Sequence, residues 1–381
     1  MHMNAESKIS SLVVLGYEGQ RDIHDEVVKS LSSLLNAQSK EGYWGKRDVL
    51  SKIICTCQAV QALTTAGLPS NMRSISKAIK WLRSDEIGNS EYSYWRIVPF
   101  ISTRQTRSTI NQELRRIEEL FLEGKLKHHT KFPSKQFLWM CYLATGETDS
   151  EKLTKIEEEI VNEWSESECW DNLATSTAFA LHLLIQADSK LLTDEMYKRS
   201  VKFLVTKASV DTHSHVLWDG NEIATAFTTI NIESSSKLKR ETDLRELSKK
   251  ASNGLFGKLK KMNYQSDTFY GAEVDNEYFQ SVFLRAVISH FANENYNYKL
   301  ALSWRWLEQE EEKKKRWKLA LITTLITTTA ILLLATKTYI LAVIESDSLG
   351  MVYSVVTYII GIFVFAFDIW ALWRRFFPKK G

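Results

Sequence analysis

Two stretches of the chain, WDNLATSTAF at residues 170–179 and WDGNEIATAF at residues 218–227, carry five identical residues in register. A tryptophan, an aspartate, a threonine, an alanine and a phenylalanine recur at a spacing of 48 residues. Each stretch follows a helix with one polar face and leads into a more uniformly apolar helix. A period of this length is typical of a repeat architecture whose unit is a pair of helices. Within each pair, we expect the second, apolar helix to be the buried one.

Less regular copies of this unit extend over residues 22–296 and give five to six helix pairs in all. Only four prolines occur, and none lies between residues 134 and 377. This favours helices, because proline breaks their interiors. Outside the two matched stretches, helices are predicted at residues 27–35 and 49–66, at 75–82 before Trp95, at 110–122 and 135–144, and at 244–262 before Tyr270.

The amino-acid composition of the chain excludes several classes of protein. With 44% hydrophobic and 25% charged residues, the chain is able to bury a large core, so intrinsic disorder is excluded. A formal net charge of +3 is too small to indicate a nucleic acid as the partner. The four cysteines lie in segments predicted as apolar helices, which is not the pattern of a disulfide framework.

The C-terminal part of the chain contains two long apolar segments. Residues 319–344 and 351–373 are each long enough to cross the roughly 30 Å of hydrocarbon in a bilayer. Basic residues precede the first segment and follow the second, whereas the loop between them is acidic. The positive-inside rule therefore places both ends of this hairpin in the cytosol. No signal peptide is recognised at the N-terminus, so the large domain is also expected in the cytosol.

These features predict an integral membrane protein with the bulk of the chain and both termini in the cytosol. The lipid bilayer is therefore an expected partner. The predicted order is an N-terminal segment (1–21), a cytosolic helix-pair domain (22–296), a charged connector helix (297–318), a first transmembrane helix (319–344), an external loop (345–350), a second transmembrane helix (351–373) and a basic cytosolic tail (374–381).

Five hairpin residues are candidates for a role beyond anchoring. Thr324 and Thr328 lie on one side of the first transmembrane helix, where their hydroxyls either contact a copy of that helix or bond back to its own carbonyls. Gly361 is small enough to let helices approach closely. Lys337 and Asp368 are ionisable, but they lie at different depths and are expected to be peripheral and hydrated. Assembly of a homo-oligomer through the hairpin is one hypothesis, and a plain anchor is the other.

A motif near the N-terminus carries a family resemblance. Gln38, Gly42 and Trp44 form a Gln-x-x-x-Gly-x-Trp pattern that resembles the QW motif of the terpene cyclase and protein prenyltransferase superfamily. The resemblance implies an all-α fold in which five to six helix pairs close into an α/α toroid. The glycine permits a tight turn, and we expect the glutamine amide to satisfy free N–H groups of the next helix. Degenerate copies of the motif are expected at Trp95, Trp170, Trp218 and Tyr270.

The catalytic motif of this superfamily is altered. Its protonating cyclases resemble one another in an Asp-x-Asp-Asp sequence, and the nearest match is Glu273-Val274-Asp275-Asn276, whose fourth residue is an amide. Glu273 and Asp275 are the catalytic candidates, because a paired-carboxylate acid needs one group kept protonated by its neighbour. The other interpretation is that both acids favour the dipole of the helix that follows. The superfamily's diphosphate-binding Asp-Asp-x-x-Asp run is missing, which leans against an enzyme.

Four residues are candidates for contact with a ligand inside the toroid. His182 lies in an otherwise apolar helix, as either a core histidine or a residue that faces the interior of the ring. Phe179, Phe227 and Cys57 lie on the predicted inner helices. The expected ligand is a hydrophobic or signalling small molecule.

No metal and no cofactor are predicted. The prenyltransferases that the chain resembles hold zinc with an aspartate, a cysteine and a histidine. The comparable residues here lie in turns of neighbouring units that are too far apart, and their order has no recognised zinc spacing. These residues are Cys169, Asp171, His213 and His215.

Two functional hypotheses follow. The first is a membrane-anchored, non-catalytic toroid that binds or senses a ligand and is coupled to the hairpin. One version of it is an oligomerising, membrane-perturbing effector such as an antiphage defence protein. The alternative is a membrane-tethered isoprenoid cyclase or prenyltransferase-like enzyme.

Overall fold

The computed structural model describes residues 21–88, 90, 92–147, 149–164, 168–211, 215–261, 268–269 and 272–294, together with residues 317, 320, 324 and 328. The chain divides into two compact units, residues 1–307 and 308–381. The division lies within the predicted connector. Apart from the four isolated positions, the predicted transmembrane helices lie outside the described residues. In the described part of the chain, no helix combines the length and the apolar character that a bilayer span requires.

The described residues of the first unit form six consecutive pairs of helices. They are α1 (Arg21–Asn36) with α2 (Val49–Thr65); α3 (Arg73–Leu82), followed by the short α4 (Asp85–Gly88), with α5 (Ile97–Ser102); α6 (Arg107–Leu122) with α7 (Ser134–Thr145); α8 (Ser150–Asn162) with α9 (Ala174–Gln186); α10 (Asp194–Lys207) with α11 (Glu222–Ser234); and α12 (Thr242–Lys261) with α13 (Asn276–Glu294). Short 3₁₀ helices span Ser93–Arg96 and Leu238–Arg240.

The two helices of a pair differ in what they bury. Outer helix α3 buries Ile75, Ala78, Ile79 and Leu82, which recur at the spacing of a single helical face. Inner helix α11 buries every residue from Glu222 to Glu233. The predicted arrangement, with the apolar helix inside, is therefore what the structure shows for these helices.

The inner helices close into a ring. In chain order, α2, α5, α7, α9, α11 and α13 each contact the next, and α13 packs extensively against α2. Because an outer helix returns the chain between successive inner helices, all six inner helices run in the same direction. The predicted α/α toroid and the mostly helical fold are confirmed at this level.

Three tryptophans repeat one set of contacts. Trp44, Trp170 and Trp218 are fully buried in the turns that precede α2, α9 and α11. Their indole N–H groups donate, at 2.6, 2.7 and 2.9 Å, to the carbonyl oxygens of Leu34, Ile160 and Leu204 at the ends of the outer helices. Their backbone N–H groups donate, at 3.0, 3.1 and 2.9 Å, to the hydroxyls of Thr56, Thr177 and Thr225 on the inner helices.

Two short antiparallel hairpins depart from the all-α prediction. β1 (Ala208–Val210) pairs with β2 (Val216–Trp218), and β3 (Thr268–Phe269) pairs with β4 (Ala272–Glu273). Both connect an outer helix to an inner helix. In the fifth pair, Trp218 follows its carbonyl partner by 14 residues, compared with 10 in the first and fourth pairs. This longer connection contains the first hairpin.

The first turn uses its glutamine differently from the expectation. The side-chain amide of Gln38 donates to the carbonyl oxygens of Gly42 and Ser74, at 2.8 and 2.9 Å. The amide therefore satisfies carbonyl groups and not the N–H groups of the next helix. Because Ser74 lies on α3, Gln38 joins the first pair to the second.

Candidate functional site: a cavity inside the toroid

The ring of inner helices encloses a cavity of about 150 Å³, called the central cavity below. Every helix pair contributes at least one side chain to its wall. Five of the lining residues are aromatic, namely Trp95, Phe132, Phe137, Phe179 and Phe227. A further six are polar or charged, namely Gln58, Gln61, His182, Asn231, Ser234 and Arg285.

Phe132 lies at the centre of the aromatic wall. Its ring contacts Trp95, Phe179 and Phe227 edge-on, with centroid distances of 5.1, 5.9 and 4.7 Å. Edge-to-face pairs at such distances are a favoured aromatic geometry. The loop before α7 that carries Phe132 is joined to α9 by a 2.9 Å hydrogen bond from the Ser176 hydroxyl to the Thr130 carbonyl.

The polar wall lies mainly on the adjacent helices α11, α13 and α2. Arg285 donates from Nη1 to the Gln58 side-chain oxygen at 2.6 Å. Burial lowers the pKa of Arg285 to about 10, so the guanidinium stays protonated at neutral pH. Among the described residues that line the central cavity, none is an aspartate or a glutamate.

His182 faces the central cavity from α9. Burial lowers the pKa of His182 to about 4, because the charged imidazolium loses its hydration. The ring is therefore neutral at pH 7. Its Nδ1 atom is buried and has no hydrogen-bond partner within the described part of the chain. Of the two interpretations of this histidine, the one facing the interior of the ring matches the structure.

Three of the four predicted ligand contacts share this wall. Phe179, His182 and Phe227 line the central cavity. Cys57 does not: its buried thiol donates to the Trp95 carbonyl oxygen at 3.5 Å, behind the wall. The contact of these residues with a ligand stays a prediction.

Several lining residues escaped the sequence interpretation. Gln58, Gln61 and Arg285 are polar residues in apolar inner helices, which is the same signal that singled out His182. The signal was therefore present in the sequence. Phe132 had none, because it lies in a loop and reaches the cavity only through the fold.

The two predicted catalytic acids lie away from the central cavity, where the last pair meets the first. Asp275 accepts hydrogen bonds from the backbone N–H groups of Lys46 and Arg47, at 2.8 and 3.2 Å, and from the Ser51 hydroxyl at 2.8 Å. Arg47 also forms an ion pair with Glu273. We call this contact between residues 46–51 and 273–275 the seam. The carboxylate of Asp275 therefore binds the turn before α2 and the first turn of α2. Its proposed effect on the dipole of its own helix stays a prediction.

The seam keeps Asp275 ionised. Burial acts to raise the pKa of Asp275, but the hydrogen bonds from Lys46, Ser51 and Arg47, and the charge of Arg47, outweigh it and hold that pKa below its ordinary value. A general acid must be protonated before it reacts. This environment therefore favours a structural role for Asp275.

A second carboxylate among the described residues also binds backbone N–H groups of a neighbouring pair. Asp219, in the turn before α11, accepts hydrogen bonds from the backbone N–H groups of Ala174 and Thr175, at 3.1 and 3.2 Å. These groups are free donors at the start of α9. Asp219 thus caps the inner helix of a neighbouring pair, whereas Asp275 binds the backbone just before such a helix.

A buried polar cluster between α11, α12 and α13 joins three helices. Glu233 accepts hydrogen bonds from Ser248 and Asn293, at 2.5 and 2.7 Å, and its Oε1 lies 2.7 Å from His290 Nδ1. The serine hydroxyl is bonded to the carboxylate and not to the histidine, so the cluster lacks the geometry of a nucleophile activated by a base.

A wider groove of about 1100 Å³ lies between α3, α4 and α6 on the outside of the ring. Its charges are largely satisfied: Arg96 makes a two-point contact with Glu113 at 2.8 and 2.6 Å, and Arg116 donates to the Gly88 carbonyl. Specific recognition by this groove is less well supported than recognition by the central cavity.

The remaining predicted residues fall into two sets. Within the described residues, no group of three or more metal-ligating side chains is found; His213 lies outside them. Thr324 and Thr328 donate, at 2.8 and 2.7 Å, to the carbonyl oxygens of Ala320 and Thr324, four residues earlier. The other hairpin candidates, Lys337, Gly361 and Asp368, lie outside the described residues.

Comparison with known proteins supports the fold. No protein-family model matches the sequence, and no curated protein matches it either. Among solved structures, the apo type II terpene cyclase MstE from Scytonema is similar at a TM-score of 0.51 and 10% sequence identity, over 71% of this chain and 98% of the cyclase. The same cyclase bound to geranylgeranyl dihydroxybenzoate, in a variant form, gives a TM-score of 0.47 and 11% identity over 70% and 96% of the two chains. The six described helix pairs therefore form a helical toroid like that of a type II terpene cyclase.

Proposed function

We propose that the toroid is a binding module whose central cavity takes a small ligand. The convergence of aromatic and polar side chains from all six helix pairs on one cavity carries this proposal. Aromatic walls with a few convergent polar groups are what ligand pockets share. The volume of about 150 Å³ is below the roughly 300–1,000 Å³ of pockets for drug-sized molecules. The ligand is therefore small.

The lining chemistry supports binding without acid catalysis. Protonation of a hydrocarbon needs a carboxylic acid at the reacting atoms, and the described lining of the central cavity has none. The two acids predicted from the sequence, Glu273 and Asp275, are bonded to Arg47 in the seam.

An isoprenoid cyclase or transferase tethered to a membrane is the second candidate. Its support is the likeness to a type II terpene cyclase in fold, together with the aromatic wall, which suits a hydrocarbon. We would test it by incubating the full-length protein with linear isoprenoids and their diphosphates and analysing the extracts by gas chromatography and mass spectrometry. We expect no cyclic or transferred product. A product that disappears in the Glu273→Gln, Asp275→Asn double variant would establish the enzyme instead.

We propose that the predicted hairpin attaches this module to the lipid bilayer. Its support is the pair of apolar segments with basic flanks and an acidic loop. The hydroxyls of Thr324 and Thr328 donate to carbonyl oxygens of their own helix, which is the interpretation that needs no partner helix. An oligomerising, membrane-perturbing effector of the antiphage type remains the other version of this proposal.

The binding function can be tested by closing the cavity at its rim. Ser234 is exposed and lines the central cavity, whereas the exposed Ser236 does not. We expect native mass spectrometry of the full-length protein to show a bound small molecule in the wild type and in Ser236→Trp, and a reduced occupancy in Ser234→Trp. Equal occupancy in the two tryptophan variants, or an empty wild-type protein, would contradict the proposal.

A further inference from the structure

Arg285 stands out because no described residue supplies it with a carboxylate partner. Its guanidinium makes one hydrogen bond, to Gln58, and none of the ion pairs formed by the described residues includes it. By contrast, Arg96, whose side chain is 11% exposed, is paired with the carboxylate of Glu113.

An uncompensated guanidinium inside a protein is costly. Withdrawing such a charge from water is unfavourable unless an opposite charge and hydrogen bonds replace its hydration, and the side chain of Arg285 is partly buried. Arg285 lines the central cavity, where no described residue supplies a carboxylate. A molecule in the cavity is thus in a position to supply the missing negative charge.

The neighbours of Arg285 suit an oxyanion. Gln58, Gln61 and Asn231 offer amide groups from the flanking helices, and His182 offers a neutral ring from across the cavity. A guanidinium presents parallel N–H donors that match the two oxygens of a carboxylate or a phosphate. Gln58 fixes the orientation of this fork through its 2.6 Å hydrogen bond.

The aromatic wall of the central cavity indicates what the apolar part of the ligand is. Phe132, Phe179 and Phe227 form a connected aromatic surface. A cavity of about 150 Å³ has the size at which a dry apolar cavity accepts benzene. The space therefore suits one ring or a short hydrocarbon attached to an anionic group.

We propose that the central cavity binds a small amphiphilic anion, with its carboxylate or phosphate on Arg285 and its apolar part against Phe132, Phe179 and Phe227. This inference rests on the proposed binding function and adds the charge of the ligand. It predicts discrimination between molecules of one shape that differ only in charge.

The test uses isothermal titration of the full-length protein in a neutral maltoside detergent with three probes. Benzoate and benzamide share a ring and a planar head group but differ in charge, and phenyl phosphate distinguishes a phosphate from a carboxylate. We expect one of the two anions to bind at least tenfold more tightly than benzamide. Arg285→Gln should remove that preference, and Arg285→Lys should retain part of it because the charge remains.

Arg199→Gln is the matched control, since Arg199 is a surface arginine, and its titrations should equal those of the wild type. A near-ultraviolet circular dichroism spectrum checks that each variant is folded. Equal affinity for benzamide and both anions, an unchanged preference in folded Arg285→Gln, or no binding of any probe would overturn the anion assignment. The binding function itself is judged separately, by the occupancy of Ser234→Trp.

Discussion

At the scale of single residues, Gly42 shows how one backbone position restricts the sequence of a turn. Its φ of +113° is a conformation that residues with a side chain rarely adopt, and a Cβ placed there would lie 2.6 Å from the Lys77 carbonyl oxygen. The glycine of the QW-like motif is therefore required twice, by its own backbone angle and by the close approach of α3.

The cost of filling this position can be measured. We expect Gly42→Ala to lower the free energy of unfolding by about 2–4 kcal/mol, because steric overlap is added to backbone strain. Gly124 has a φ of +66°, and a Cβ there would meet no atom within 4 Å, so Gly124→Ala should cost only about 1 kcal/mol. Urea denaturation at neutral pH compares the two. Equal losses would show that the contact with Lys77 has no importance.

His182 gives the stability a dependence on pH. Its pKa is lowered to about 4 in the folded protein from an ordinary value of 6.5. Between these values the unfolded chain binds a proton that the folded protein does not, so stability falls as the pH falls from 6.5 toward 4 and is restored above 6.5. The full loss is at most about 3 kcal/mol.

His182→Gln removes this titration. We expect the free energy of unfolding of the wild type to fall between pH 6.5 and pH 5, and that of His182→Gln to change much less. Urea titrations at several pH values within this window provide the measurement. Carboxylic acids whose pKa values are ordinary or lowered titrate mainly below this pH window. Parallel pH profiles for the two proteins would mean that His182 is not shielded from water.

At the scale of the elements, the ring is held by contacts between the turn of one pair and the inner helix of another. Asp275 supplies the contact that joins the last pair to the first. Because its pKa is depressed, the stabilisation is present above the unfolded value of 3.8 and is lost as the pH falls through the lower folded value.

We expect Asp275→Asn to lower the free energy of unfolding at pH 7 by about 1–3 kcal/mol, since an amide replaces a charged acceptor of several hydrogen bonds. Glu273→Gln is the control. Its side chain is 59% exposed, so a change of less than about 1 kcal/mol is expected. Denaturation at pH 7 and pH 3 provides the measurement, and the loss of unfolding free energy caused by Asp275→Asn should be smaller at pH 3. An equal loss at both pH values would rule out a contribution from the charge of Asp275.

The helix pairs were predictable from the sequence because each leaves a local pattern. The match between Trp170–Phe179 and Trp218–Phe227 identified the unit, and the three equivalent tryptophans confirm it. The seam was not predictable, because Asp275 reaches α2 only when the ring closes. Phe132 was missed for the same reason: its place in the cavity depends on three other pairs, and a loop carries no periodicity.

At the scale of the whole molecule, the predicted topology can be tested through its cysteines. All four natural cysteines are buried, so an impermeant maleimide should leave the wild type unlabelled in intact cells. Ser346 lies in the predicted external loop, outside the described residues, and Ser346→Cys should be labelled in intact cells because the basic flanks hold both ends in the cytosol.

Ser236→Cys is the matched control on the toroid, where Ser236 is exposed. We expect it to be labelled only after the membrane is permeabilised. Labelling of Ser236→Cys but not of Ser346→Cys in intact cells would reverse the orientation.

The seam also has a consequence for synthesis on the ribosome. Ser51 and Asp275, which meet there, are separated by 224 residues. At roughly 5–20 residues per second, about 11–45 s pass between their emergence as parts of the nascent chain. Throughout that interval α2 lacks the helix that covers it, and its apolar surface is open to chaperones. Translation that stops before α13 leaves an open arc of helix pairs and not a smaller ring. The earlier pairs therefore complete their packing only after the last pair has been synthesised.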